Sequence, residues 1–137
     1  MNKKIGSLGV NGRIIPTPEQ LEILAKCREL IKMLYYALRE DERLARDYQL
    51  CVRLQTPALS LTATLANASA SNQIGYFERG VRFARSHCAE FREMLNVAQD
   101  VRAIEEDNYH DLHTRTEEIY AMLASLSSAL ERRVVGE

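Results

Sequence analysis

Apolar residues recur every three or four positions along four successive segments of the chain. The longest unbroken stretch of this pattern runs from Ile74 to Ala98. That spacing places the apolar side chains on one face of an α-helix. A helix of this length, about 37 Å at 1.5 Å per residue, cannot keep such a face in water alone, so the pattern predicts partner helices. The face consists of Ile74, Phe77, Val81, Ala84, Cys88, Phe91, Leu95 and Ala98.

The first partner helix has a clear start signal. Thr17 is a good N-cap, Pro18 suits the first helical position, and Gln20 can close a capping box. The cluster of charges at 39–41 predicts its end. Its apolar face consists of Leu24, Cys27, Ile31, Leu34 and Leu38, widened on one flank by Ile23, Leu30 and Ala37.

The second helix is predicted from about Glu42 to about Ala68, with Asp47 as the one misfit in its apolar spacing. Pro57 lies inside it and predicts a kink without a break. The residues after Pro57 are mostly small. They indicate either a pocket or polar binding face, or a close approach of two helix backbones. The apolar face consists of Leu44, Cys51, Leu54, Ala58, Leu61, Leu65 and Ala68.

Either Ser71 or Asn72 can cap the third helix, which we expect to end near Val101. A short connection at 102–106 then leads to the fourth helix. Its apolar face consists of Tyr109, Leu112, Thr116, Ile119, Leu123, Leu126 and Leu130. Four helices with short connections predict an antiparallel up-down-up-down four-helix bundle, an all-α fold.

The bundle is expected to form one domain over residues 17–133, between an N-terminal arm at 1–16 and a C-terminal tail at 134–137. Three glycines make the arm irregular, and its apolar residues predict that part of it packs on the body or on a neighbouring subunit. A length of 137 residues is enough for one sizeable core.

Charge and cysteine content narrow the class of protein. The net charge of −1 argues against a surface built entirely for nucleic-acid phosphates, although a local basic patch remains open. The three cysteines each fall on an apolar helix face, where we expect buried free thiols. No signal segment or membrane span is recognisable, so the expected location is the cytoplasm and no membrane partner is predicted.

The best basic patch lies on the third helix and comprises Arg79, Arg82, Arg85 and Arg92. It is either a nucleic-acid or partner contact, or a solvated face with local salt bridges. No catalytic, metal or cofactor-binding residues are predicted. His110 and His113 lie one turn apart, but no second helix repeats the pattern of ligands. His87 and Cys88 are adjacent and therefore point about 100° apart on the helix, which argues against a catalytic pair.

The span from Ser60 to Tyr109 resembles a bacterial family of four-helix-bundle proteins. The family was first noticed as products of intervening sequences in large-subunit ribosomal RNA genes, and the accessory variability determinant of diversity-generating retroelements is a more distant relative. The matching residues are Ser60, Ala63, Leu65, Ala66, Tyr76, Phe77, Ala84, Ser86, Glu90, Leu95, Ala98, Ile104, Glu106, Asp107 and Tyr109.

This resemblance implies a non-enzymatic cytosolic protein that assembles as a ring, with five copies expected. Its retroelement relatives bind nucleic acid through a strongly basic surface. The chain departs from the family pattern at Thr64, Asn67 and Ala68, in the position of its helix-2 proline, and in the turn at 71–75, which lacks the family's basic residues. The missing basic turn weakens the implication of nucleic-acid binding and leaves the fold unaffected.

Two functions follow as expectations. The first is an uncharacterised homo-oligomeric scaffold or protein-interaction module, a homopentamer by resemblance, with no small-molecule substrate. Its support is the apolar arm and outward apolar candidates on the helices: Tyr36, Met94, Val97, Tyr120 and Met122. The alternative is a ring that binds RNA or DNA, in which symmetry repeats the arginine patch around an axis.

Overall fold

The computed structural model describes residues 7–8, 14–15, 18–71 and 73–134. Within these ranges the chain forms five helices and one pair of two-residue strands. The elements are β1 (Ser7–Leu8), β2 (Ile14–Ile15), α1 (Pro18–Glu40), α2 (Glu42–Ala45), α3 (Tyr48–Ser69), α4 (Ile74–Asp100) and α5 (Glu106–Val134). The predicted all-α class is confirmed, and α1, α3, α4 and α5 are its long helices.

The four long helices surround one core. Helix α1 packs against α3 and α5, and α4 packs against the same two helices. Contacts between α4 and α5 show that these two run antiparallel. The Cys88 thiol lies 3.7 Å from the Thr116 carbonyl oxygen, and further along α4 the Asn96 amide oxygen accepts a 2.8 Å hydrogen bond from the Tyr109 hydroxyl.

The apolar face predicted for the third helix is buried in the core from Phe77 to Ala98, with Ile74 partly buried at its start. The prediction of the buried face of α1 was wrong in part. The residues predicted as its flank, Ile23, Leu30 and Ala37, are buried, whereas three residues of the predicted centre line are only partly so. The three are Leu24, Ile31 and Leu38. The helix is therefore rotated toward its predicted flank, so that Ile23, Leu30 and Ala37 face the core.

The predicted second helix is divided in two, which corrects the single span from Glu42 to Ala68. Helix α2 ends at Ala45, and Asp47 is the N-cap of α3. Its carboxylate accepts a 3.1 Å hydrogen bond from the Leu50 amide. The misfit of Asp47 in the apolar spacing therefore marks a new helix start, because Asp at an N-cap satisfies an otherwise unpaired backbone donor. Pro57 lies buried inside α3, and the kink there stays a prediction.

The start of α4 also differs from the expectation that Ser71 or Asn72 caps it. Gln73 is the N-cap, and its side chain makes no capping hydrogen bond. The Ser71 hydroxyl instead accepts a 3.0 Å bond from the Gln73 amide within the turn. Asn72, like the predicted cap Thr17, lies outside the described residues.

Asp41 connects segments that are far apart in the sequence. It is 1% exposed, and one carboxylate oxygen caps α2 by accepting hydrogen bonds from the Arg43 and Leu44 amides. The other oxygen accepts from the Glu105 amide at 2.9 Å and from the Asn108 side chain at 2.8 Å. This one carboxylate therefore joins the end of α1 to the start of α5.

Burial alone would raise the pKa of Asp41, but the hydrogen bonds donated by Asn108 and by three backbone amides outweigh it and lower the pKa. Hydrogen bonds to the charged form favour that form. Asp41 is thus held as a carboxylate inside the protein.

The described part of the N-terminal arm consists of β1 and β2, which pair antiparallel with Ser7 opposite Ile15 and Leu8 opposite Ile14. The sequence pattern did not predict this pairing. The rest of the arm and the expectation that it packs on the body lie outside the described residues. Val134, predicted as the first residue of the tail, is the last residue of α5, and the rest of the predicted tail at 135–137 lies outside the described residues.

Candidate functional site

Helix α3 carries a second apolar stripe on the side opposite the core. Val52, Thr56, Leu59, Ala63 and Ala66 are all exposed and are separated by steps of four, three, four and three. Leu59 remains 44% exposed, and the Thr56 hydroxyl already donates to the Val52 carbonyl at 3.0 Å. We call these five residues the outer stripe of α3. Its spacing is that of a face that packs against another helix.

The outer stripe lies in a segment without charge. No Asp, Glu, Lys or Arg occurs from Leu54 to Phe77, although such residues make up 27% of the chain. A solvated helix face normally carries charged residues. Depletion of charge around exposed apolar residues is typical of the centre of a protein–protein interface.

A second surface feature is the groove between α1 and α5, which encloses about 320 Å³. Its lining is mixed: half is apolar, including Met33 and Tyr36, and half is polar or charged (Glu29, Lys32, Asn108 and Asp111). Tyr36 is 61% exposed, which agrees with its prediction as an outward apolar residue. The other predicted outward residues are partly buried, which corrects that expectation. Met94, Tyr120 and Met122 pack against the core, and Val97 has intermediate exposure.

The four arginines predicted as a patch lie in two different surroundings. Arg92 is 3.4 Å from the Glu117 carboxylate and lies over the Tyr120 ring, 4.2 Å from its centre. Arg82 pairs at 2.7 Å with Glu78, a carboxylate that is itself buried. Their charges are therefore largely compensated within the fold.

Among the described side chains, those of residues 22–71 and 73–132, Arg79 and Arg85 have no acidic partner within ion-pair distance. Together with Arg82 and Ser86 they line a depression of about 220 Å³ on α4. Phe83 belongs to the same depression and is 62% exposed. The structure thus groups three of the four arginines around an exposed aromatic ring and separates Arg92 from them.

The histidines and cysteines show no arrangement that points to chemistry. His113 lies 3.4 Å from Glu117 and stacks on Tyr109 at a ring distance of 5.2 Å, whereas His110 is exposed. No group of three or more His, Cys, Asp or Glu residues within the described ranges could hold a metal ion.

All three cysteines are free. Cys27 and Cys88 are fully buried, as predicted, and burial raises the pKa of each to about 12. Cys51 is only partly buried, which corrects the expectation that all three are buried, and burial raises its pKa as well. Thiols with raised pKa values are poor nucleophiles because the reactive form is the thiolate.

The outer stripe of α3 was missed in the sequence because the inner stripe of the same helix dominates the pattern. Its small residues were interpreted only as a pocket or as a close helix contact. The signal that reveals the outer stripe is the absence of charge between Leu54 and Phe77. Asp41 was missed because an acidic residue between helices looks solvated when its partners lie more than sixty positions away.

The fold and these surfaces define an all-α bundle whose conspicuous features are apolar faces. Among the described helices, none is long and apolar enough to cross a membrane. The model of the 23S rRNA-intervening sequence protein family matches residues 19–125. The chain belongs to this family, as the resemblance in its sequence predicted.

A solved structure with a similar fold comes from Bacteroides thetaiotaomicron, and it is described as a protein with unknown function from the S23 ribosomal protein family. The TM-score is 0.61 at 18% sequence identity, and the match covers 79% of this chain and 94% of that one. At this identity the likeness shows the fold alone. A comparison with curated proteins gives no match.

Proposed function

We propose that this protein is a homo-oligomeric interaction module that assembles through the outer stripe of α3. The observation that carries the proposal is the exposed apolar spacing from Val52 to Ala66, much of it inside a segment without charge. Removing apolar surface from water favours association by about 25 cal/mol per Å². Ala63 and Ala66 also permit a partner helix to approach closely, because their short side chains reduce the distance between the helix axes.

A closed ring requires a second surface on each subunit. In a ring with cyclic symmetry above two-fold, each interface joins two different patches, one from each neighbour. The groove between α1 and α5, in which Met33 and Tyr36 lie among polar and charged residues, supplies a second patch on helices other than α3. We propose that the outer stripe of one subunit contacts this groove of the next, and the family resemblance leads us to expect five copies.

Charge insertion tests this assembly. Ala63→Glu places a carboxylate in the outer stripe, and Ala121→Glu makes the same change at an exposed alanine of α5. We expect the first variant to dissociate in light scattering at micromolar concentration and the second to keep the wild-type mass. Tyr36→Glu should also dissociate a ring, whereas a two-fold dimer through α3 alone would survive it. An equal response of Ala63→Glu and Ala121→Glu would contradict the proposed interface.

We also propose that the assembly acts by binding and not by catalysis, and that it works in the cytoplasm. Its support is the exposed apolar surface, which suits protein partners, and the three free cysteines, which suit a reducing compartment. A pull-down from native cytosol with wild-type protein and with Ala63→Glu separates partners of the assembled form from non-specific ones.

The alternative function is a ring that binds RNA or DNA through Arg79, Arg82, Arg85 and Arg92. One observation favours it: Phe83 is 62% exposed and lies among three of these arginines. Exposed aromatic rings between cationic side chains are typical of single-strand binding, because bases stack on the ring while cations contact phosphates.

This alternative predicts binding of a mixed-sequence single strand that weakens steeply with added salt. Phe83→Ala and Arg85→Ala should each reduce binding, while Arg132→Ala, which removes an exposed arginine of α5, should have a small effect. Binding that is absent at low salt, or insensitive to both α4 substitutions, would eliminate it.

A further inference from the structure

One end of the bundle carries a shallow cavity of about 580 Å³, widely open to solvent, where α2, the turn after α2 and the connection after α4 meet. Three arginines line it, and each comes from a different one of these segments. They are Arg43, Arg46 and Arg102. All three are exposed. None belongs to the arginines of α4 described above.

The positive charges in this cavity are not compensated by ion pairs. Within the described ranges, no carboxylate lies within ion-pair distance of Arg43, Arg46 or Arg102. Asp47 also lines the cavity, but its carboxylate is engaged in capping α3 through the Leu50 amide. Arg43 is oriented by a 3.5 Å hydrogen bond to the Ile104 carbonyl. The three guanidinium groups carry more positive charge than the single Asp47 carboxylate beside them offsets, and a bound anion would be attracted to that excess.

Arg102 occupies an unusual backbone position. Its φ angle is +60°, the one positive value among the described non-glycine residues. The Ala103 amide bonds the Ala98 carbonyl at 2.8 Å and the Arg102 amide bonds the Gln99 carbonyl at 3.0 Å, a helix ending in which glycine is the usual residue. The chain therefore holds a long cationic side chain at the cavity where a glycine would be the less strained residue.

The lining identifies the chemistry of the ligand. A carboxylate offers two oxygens and matches one guanidinium, whereas a phosphoryl group offers three oxygens and nearly two negative charges, which suits several guanidinium groups from different directions. The lining also contains two exposed side chains with apolar surface: Tyr48 is 79% exposed and Val101 is 61% exposed. An exposed tyrosine ring is a stacking surface for a base.

We propose that this cavity binds a nucleotide, with its phosphates among Arg43, Arg46 and Arg102 and its base against Tyr48. The three arginines lie outside the outer stripe of α3, whereas Tyr48 precedes Val52 by one turn on the same face. Loss of phosphate binding in the arginine variants therefore tests this site separately from assembly through α3. A free nucleotide and the end of a nucleic-acid strand present the same chemistry to these side chains.

Calorimetric titration of the full-length protein with ADP at low salt tests the site. Arg46→Ala and Arg102→Gly should each weaken ADP binding at least about tenfold, the loss expected when one charge-assisted contact is removed. Arg53→Ala removes an exposed arginine of α3 that does not line the cavity, and it should change the affinity less than about twofold. Arg102→Gly relieves the left-handed backbone, so a loss of binding in that variant is not caused by unfolding.

Further ligands separate the parts of the site and the source of the nucleotide. ADP should bind more tightly than adenosine, which lacks phosphates, and more tightly than pyrophosphate, which lacks a base. Tyr48→Ala should weaken ADP and leave pyrophosphate unchanged. If a ten-nucleotide single strand binds more tightly than ADP and its binding requires Arg46 and Arg102, the ligand of this site is the end of a nucleic-acid strand. If the strand binds more weakly than ADP, the ligand is a free nucleotide. No heat of binding with ADP at millimolar concentration, or an equal loss in Arg53→Ala and Arg46→Ala, would overturn the proposal.

Discussion

Gly80 of α4 lies directly against Ala68 of α3, so closely that a side-chain methyl group on Gly80 would overlap the Ala68 methyl group. The Thr64 carbonyl oxygen would also lie within van der Waals contact of that added methyl group. This contact supports the second interpretation of the small residues after Pro57, a close approach of two helices. The inner face of α3 is therefore occupied by α4 together with α1, and its outer stripe remains exposed.

Gly80→Ala should destabilise the bundle even though alanine is the better helix former. The propensity gain is about 1 kcal/mol, whereas overpacking a tight helix contact costs about 1–3 kcal/mol. Gly75 is the matched control in the same helix, because a methyl group there would meet nothing within 4 Å. Gly75→Ala should be neutral or stabilising in urea unfolding, and Ala68→Gly should rescue Gly80→Ala. A Gly80→Ala variant as stable as Gly75→Ala would show that the helices are not in close contact.

Asp41→Asn should destabilise the fold by about 3 kcal/mol. The carboxylate accepts hydrogen bonds from the Glu105 amide and the Asn108 side chain, whereas the NH₂ group of an asparagine would face such donors with another donor. The lowered pKa of Asp41 also sets a pH dependence. A group whose pKa is lower in the folded state stabilises the fold at pH values above its unfolded-state pKa, which is near 3.8 for Asp41. This stabilisation is lost as the pH falls through the folded-state pKa.

The free energy of unfolding of the wild type, measured in urea, should therefore decrease as the pH falls below about 4. Asp41→Asn removes this titrating group, so its stability should fall less steeply with acid than that of the wild type. Parallel curves for the two proteins would contradict the role assigned to Asp41.

Arg102→Gly should stabilise the isolated bundle by about 1 kcal/mol, because glycine adopts the φ of +60° without the steric cost that arginine carries. Thermal unfolding of the two proteins measures the difference. Arg102→Ala serves as the control, since it removes the guanidinium and keeps the strained backbone, and it should gain little. A loss of stability in Arg102→Gly would show that the arginine side chain supports the fold.

Cys27 and Cys88 should resist alkylation in the folded protein at pH 8, because burial holds the pKa of both at about 12. Cys51 is partly exposed and donates to the Leu44 carbonyl at 3.2 Å, so we expect it to react first, and slowly. Mass spectrometry after timed treatment with iodoacetamide identifies the sites. Rapid modification of Cys88 without unfolding would contradict the assigned core.

The fold was predictable because burial follows the apolar spacing, which is a local property of the sequence. Phe77, Phe91 and Leu123 are buried as the spacing predicted. Features that depend on a distant partner were not predictable in this way. Arg92 has the spacing of a patch residue, but Glu117 and Tyr120 of another helix determine its surroundings.

Helix boundaries fall between these cases. The break before α3 was visible as a misfit at Asp47, yet the spacing continued through it because Leu44 and Leu54 face the same core. The capping role of Asp47 shows that its misfit marks a break between two helices and not an irregularity within one. The evidence for that role is the Leu50 amide, which needs an acceptor at the start of α3 and finds it in the Asp47 carboxylate.

Assembly through the outer stripe of α3 is tested most sharply by the mass of the wild-type protein in solution. Because the exposed stripe leaves a lone subunit incomplete, multi-angle light scattering at micromolar concentration should report a single species several times the 15.6 kDa chain mass. Five subunits per particle would also agree with the family resemblance. A particle of one chain mass at every concentration tested would contradict assembly through the outer stripe.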